Sequence, residues 1–284
     1  MIVTADDFGL APEVNAAVET AHSNGILTAA SLMIGAPAAA DAVDRARRLH
    51  SLKVGLHIVL TDGYPVSPPS RLPNLVDRSG RFRSDMARSS VRIFVDPMVR
   101  RQVADEIAAQ FEAFLATGLR LDHVDCHKHW HLHPTISGLI LDIGQRYGMT
   151  ALRIPSEPVR VLRLIEKQTS SKLSWVTSTC ATLLKARVRR RRLLAADRVF
   201  GLAWSGAMTE TRLAGLLAHL PDGLTEIYFH PATSNSFSGA APGYRYSDEL
   251  AALVAPRIIS AARGDDIRLV GYSDLAKKSG AVAQ

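Results

Sequence analysis

The sequence predicts an α/β fold built on a parallel sheet of about eight strands, closed into a barrel or left open. Two observations predict it. Short β-branched apolar runs alternate along the chain with longer runs of helical period. Residues able to carry chemistry sit within or just after those apolar runs, where parallel α/β architectures build their sites.

The first strand, 2–5, opens on Ile2 and Val3 and leads into Asp6-Asp7-Phe8-Gly9. Two adjacent carboxylates repel unless a cation or a shared proton intervenes. A solvated turn is the alternative, because Asp and Gly are ordinary turn residues. A helix over 12–23 follows, then strand 28–34, helix 38–49 and strand 53–60. The stretch 61–96 is rich in Pro, Arg, Ser and Gly and reads as a loop insertion. Helix 97–117, strand 121–126, helix 134–147 and strand 151–155 restore the alternation. Next comes a basic helical insertion at about 158–198, with its helix over 159–194. Strand 199–203, helix 210–219, strand 225–229, helix 247–263 and strand 267–271 complete the pattern. Pro12, Pro97 and Pro134 suit first helical turns, where a missing N–H costs nothing. Gly25, Gly118 and Gly148 stand where helices should be capped. No linker divides the chain, so one domain over 1–284 is expected.

With 284 residues and 47% hydrophobic content, the chain can bury one sizeable core. No apolar run is long enough to span a bilayer, and no cleavable leader is expected before Ile2. Cys126 and Cys180 make no disulfide framework, which points to a reducing cytoplasm.

The net charge of +7 is unevenly placed. Between Glu157 and Arg198 stand eleven Lys/Arg against three Asp/Glu, so the basicity belongs to one segment. That segment carries Trp175 among Leu, Val and Ile and closes on the block Lys185 to Arg192. Three readings fit it: a solvated helical face, an interfacial helix drawn to anionic lipid, or a phosphate-backbone site. The last lacks a recognition motif and interleaved stacking aromatics, so nucleic acid is not an expected partner.

The chemistry collects in LDHVDCHKHWHLHP, where five of the ten histidines fall: His123, His127, His129, His131 and His133. If the strand continued outward, alternate histidines would share one face. Five histidines beside Asp122 and Asp125 favour metal binding over a structural explanation. One strand cannot present all of them to one ion, so further ligands must come from elsewhere. VGLHIVL supplies His57 in an apolar strand, and TEIYFHPA supplies His230 at the end of another. Either alone could be structural. Together with Asp6 and Asp7 they mark the carboxyl ends of separate strands.

These motifs, TADDFG, GLH, HVDCHKHWH and FHPA, resemble those of the YdjC-like carbohydrate deacetylases, in the same order over essentially the whole chain. CHKHWHLHPT, VFGLAWSGAMTE and APGYRYSDEL are most similar to the hopanoid-biosynthesis-associated branch, HpnK. The resemblance implies a distorted, TIM-barrel-like (β/α) barrel of about seven to eight parallel strands. It implies removal of an N-acetyl group from an amino sugar with one divalent metal ion, Zn²⁺ or Mg²⁺. Carried over by position, Asp7, His57 and His127 are the metal ligands, Asp6 is the general base and His230 the acid. His129, His131 and Arg153 are expected to line the substrate site.

One Asp and two His leave coordination positions open, as a catalytic ion requires. The hopanoid branch implies a lipid-linked substrate, and the charge concentrated in 158–198 then suggests a cytoplasmic enzyme that is peripheral on the inner face of the membrane through that segment. Three rivals stand beside this reading: a deacetylase of soluble chitooligosaccharides, a metal hydrolase of phosphoester or cyclic-amide bonds, and a non-catalytic lipid- or sugar-binding barrel. The phosphoester case is weakened by a shortage of carboxylates beyond Asp6, Asp7 and Asp125.

Overall fold

A computed structural model describes residues 1–170 and 175–275. The core is a curled sheet of six parallel strands: β1 (Ile2–Phe8), β2 (Ala29–Leu32), β3 (Lys53–Ile58), β4 (Leu121–Cys126), β5 (Arg198–Phe200) and β6 (Thr225–Phe229). Their order is β4-β3-β2-β1-β6-β5, so the N-terminal strand is central. All seven residues of β1 are buried, as expected for a strand covered on both faces.

The seven to eight strands expected are not found: 151–155 and 267–271 form no strand among the described residues. Ala151 and Leu152 make only isolated bridges, to Leu194 and Val124. The chain here still reaches both sheet edges. Val124 N donates to Ala151 O at one, and Val199 N to Ser156 O at the other. Near 267–271, Val270 N donates to Met1 O and the Met1 amine donates to Arg268 O, two contacts confined to the start of β1. Both stretches have the apolar composition of strands, but each is paired too briefly to become one.

Helices cover the sheet: α1 (Pro12–Asn24), α2 (Ala39–Arg48), α3 (Met86–Val95), α4 (Pro97–Ala116), α5 (Pro134–Arg146), α6 (Val159–Ile165), α7 (Trp175–Arg190), α8 (Glu210–Ala218), α9 (Tyr246–Val254) and α10 (Pro256–Ala262). Pro12, Pro97 and Pro134 occupy first turns as expected. Gly118 and Gly148 take φ of 75° and 77°, whereas Gly25 does not. It is required instead by the carbonyl of Leu253, which a Cβ would meet at 2.4 Å.

Three helical expectations change. The 61–96 insertion contains α3, capped by the Asp85 side chain, which accepts from Arg88 N at 3.0 Å. The run 247–263 splits at Pro256, whose ring cannot continue α9. The run 159–194 becomes α6 and α7, and its residues 171–174 lie outside the described ones. Part of its arginine block is tied to α5 rather than free. Arg191 reaches Asp142 and Gln145, and Arg187 reaches the Pro134 carbonyl. No described helix is long and apolar enough to cross a membrane.

Candidate active site

A cavity of about 600 Å³ opens where the strands end, lined by Asp6, Asp7, His57, His127, His129 and His230 among others. Adjacent residues of a regular strand point to opposite faces. Asp6 and Asp7 both reach this wall because β1 is irregular there. Its register against β2 shifts between Ala5 and Phe8, and Asp7 takes a φ of 61°. That left-handed conformation is uncommon for a residue with a Cβ.

Asp7 Oδ1 lies 3.1 Å from His127 Nδ1 and 3.5 Å from His57 Nε2, and the two ring nitrogens are 3.4 Å apart. Despite these distances, Asp7 Oδ1 is buried without a well-directed hydrogen bond. Three converging donor atoms with an orphaned oxygen fit a divalent cation better than they fit one another. Burial pushes the Asp7 carboxyl up, but His127 and His57 outweigh it and hold it well below the usual carboxylate range. Burial draws the His57 imidazole down, and Asp125, Asp7 and Asp6 overcome that to raise it to about 10.

Behind His57 lies a buried polar network. His57 and Asp125 are register partners on β3 and β4, and Asp125 Oδ1 accepts from His57 Nδ1 at 2.8 Å. With Nδ1 engaged, Nε2 is the nitrogen left facing Asp7. Asp125 Oδ2 accepts from Ser31 Oγ at 2.9 Å, and Ser31 Oγ lies 3.0 Å from His123 Nε2. Gly55 makes room for that ring, because a Cβ there would fall 2.5 Å from it.

Arg153 is fully buried among three carboxylates. It donates to Asp6 Oδ2 at 2.7 Å and to Glu226 Oε1, and its guanidinium also contacts Asp125. Asp6, His57 and Asp125 also cluster closely, but the guanidinium already occupies the space between the two carboxylates. That cluster is no second cation site. Asp6 Oδ1 has no hydrogen-bond partner and is the oxygen left for the cavity.

The histidine-rich segment does not continue as a strand. After Cys126 the chain turns into 3₁₀ geometry over His127–Leu132, with Lys128 and His129 at φ of 52° and 54°. The period-two alignment is therefore broken, and the five histidines part company. His123 is core and bonds Asp122. His127 joins Asp7 and His57. His129 faces the cavity, its Nε2 2.9 Å from the Tyr228 hydroxyl. His131 is fully buried, away from the cavity wall, and burial lowers it to about 4. His133 packs edge-on to Phe94. Of the three residues expected to line the substrate site, His129 lines the cavity, whereas His131 and Arg153 are buried and do not.

His230 follows β6 directly. Its backbone N donates to Glu249 Oε2, and its ring packs edge-on against Tyr244 and Tyr228, with centroids 5.2 and 5.7 Å away. The structure also reveals roles the sequence reading left unassigned. Sequence alone gives Asp125 no individual role, and the structure shows it holding the His57 ring. Tyr228 could have been found, since it stands two residues before His230 and period two puts both on one face. Tyr244 and Glu226 carried no local signal.

The site can therefore hold a cation on three side chains, present a carboxylate oxygen at Asp6 and place an imidazole at His230. The signature of the family described as YdjC-like protein matches residues 1–263. A carbohydrate deacetylase of Geobacillus stearothermophilus is 30% identical over 280 residues, 97% of this chain and 98% of that protein. One from Vibrio vulnificus (strain CMCP6) is 41% identical over 147 residues, 52% of this chain and 56% of that protein. A crystal structure of a putative cellobiose-phosphate cleavage protein from Enterococcus faecalis V583 superposes with a TM-score of 0.75 at 25% identity, covering 96% of this chain and 97% of that one.

Proposed function

From the premise that this chain belongs to the YdjC-like family, we propose that it is a carbohydrate deacetylase, hydrolysing the N-acetyl group of an N-acetylglucosamine-type sugar. The observation that carries this reading is the convergence of Asp7, His57 and His127 beside Asp6 and His230 on one cavity wall. Carbohydrate deacetylase relatives spanning nearly the whole chain support the same activity.

Asp7, His57 and His127 would hold one divalent ion. When bound, such an ion polarises the acetyl carbonyl and makes water a better nucleophile at neutral pH. Asp6 accepts the proton of the attacking water on Oδ1, while Arg153 fixes the carboxylate through Oδ2. His230, whose ring lines the same cavity, donates a proton to the departing sugar nitrogen. Asp125 holds the His57 ring in the tautomer that frees Nε2. The cavity volume suits a mono- or disaccharide unit.

The finer reading is a lipid-linked sugar, as on a hopanoid glycolipid, reached by a cytoplasmic enzyme that touches anionic membrane through 158–198. The charge concentrated in that segment supports it. Acetate release from an N-acetylglucosaminyl lipid and from free chitobiose, each with and without chelator, tests both levels. Release from neither substrate sinks the deacetylase reading. Chelator-insensitive release sinks the metal, and preference for chitobiose sinks the lipid.

A further inference from the structure

Helix α3 has an amphipathic pattern turned the wrong way round. Val91, Phe94 and Val95 stand at i, i+3 and i+4, and Met98, just past the Asp96-Pro97 break, extends the line to i+7. Such spacing ordinarily marks the face a helix buries. Here these four side chains are 61 to 63% exposed, and the only buried residue of α3 is Ile93. Large apolar side chains clustered in water mark an interaction surface rather than chance exposure.

The tip is fastened to the end of the sheet that carries the site. Trp130 Nε1 donates to Ser90 Oγ at 3.1 Å, and Phe94 packs against His133 with ring centroids 6.5 Å apart. Trp130 belongs to the segment His127–Leu132 that supplies His127 and His129, and His133 follows it directly.

Its surroundings decide what it meets. Residues 81–101 hold six arginines and two aspartates. Both aspartates are engaged as helix caps, Asp85 on α3 and Asp96 on α4. Arg100 donates to the Phe94 carbonyl at 2.7 Å, which holds its guanidinium beside the apolar tip. Arg88 and Arg101 are exposed. An apolar tip accompanied by Arg88, Arg100 and Arg101 repels a second copy of itself and complements a surface of acyl chains under anionic headgroups.

We propose that the α3–α4 tip, Val91, Phe94, Val95 and Met98 with Arg88, Arg100 and Arg101, is a docking surface for anionic lipid bilayers. It is distinct from the basic 158–198 segment and holds whatever chemistry occurs at Asp7.

The test is flotation of the full chain with vesicles of phosphatidylcholine alone or mixed with phosphatidylglycerol, comparing wild type with the Val91→Ser/Phe94→Ser/Val95→Ser triple variant. Wild type should float with the anionic vesicles, and the triple variant should partition at least about tenfold less. Arg88→Glu/Arg101→Glu should weaken binding to anionic vesicles most at low salt. The substituted side chains are exposed, and an unchanged melting temperature confirms folding. Equal flotation of the triple variant overturns the proposal, as does failure of wild type to float. So does a concentration-dependent dimer that the triple variant abolishes. Flotation requires no turnover, so an absence of acetate release leaves this result standing.

Discussion

Asp125 and His57 sit at matched register on β4 and β3, with Oδ1 and Nδ1 2.8 Å apart in the buried core. This pairing decides which nitrogen of His57 faces Asp7. Asp125→Asn should therefore lower divalent-metal affinity by about 10- to 100-fold while leaving the fold intact. Titration calorimetry on the chelated protein measures it, and wild-type affinity in the variant would remove the role assigned to Asp125.

Removing a ligand should act more severely. His57→Ala and His127→Ala should each leave purified protein without stoichiometric metal, as read by elemental analysis. Retention of a full equivalent in either variant would show that the ion is held elsewhere.

Asp6 separates chemistry from binding. Asp6→Asn should reduce turnover by about 10²- to 10⁴-fold with metal content unchanged. A variant that keeps its rate would instead favour a barrel whose function is binding alone.

Arg153 is expected to be structural first. Its guanidinium serves Asp6, Asp125 and Glu226, so Arg153→Leu strands three buried carboxylates. Breaking a buried ion-pair network from one side costs about 3–5 kcal/mol, or about 10 °C of melting temperature in a chain of this size. Calorimetry that finds less than a degree of change would contradict the network.

The pH dependence of the chelated protein follows from His57. Its folded pKa is raised to about 10, above the usual value for histidine, by Asp125, Asp7 and Asp6 acting against burial. A raised folded pKa gives stability that is complete below the unfolded value near 6.5 and lost as pH climbs through about 10. Melting temperature should accordingly fall between pH 7 and pH 10, with a shallower fall in His57→Gln. Identical slopes in the two proteins would assign the dependence to other groups.

Much of the site is legible in sequence because strand ends announce themselves locally. An apolar run followed by Asp6-Asp7, by His57 or by His230 states both the strand and the residue at its mouth, and the structure brings all of these to one cavity. The helices starting at Pro12, Pro97 and Pro134 are equally local, since proline fixes its own backbone. Pro256 carried the same signal for a break, and the apolar residues on either side of it masked that signal.

Sequence alone therefore determined which residue types stand at the strand ends, and with them the kind of chemistry available. Tertiary structure decided which atoms meet. His127, His129, His131 and His133, spaced two apart, looked like one face of a strand, but left-handed residues at Lys128 and His129 part them: His127 meets Asp7, His129 meets Tyr228 and His131 enters the core. Arg153 lies 147 residues from Asp6, and no local pattern could show that it lies beneath Asp6 rather than beside a substrate. The exposure of the α3 stripe was hidden in the same way, because spacing shows that a face is apolar and only packing shows whether anything covers it.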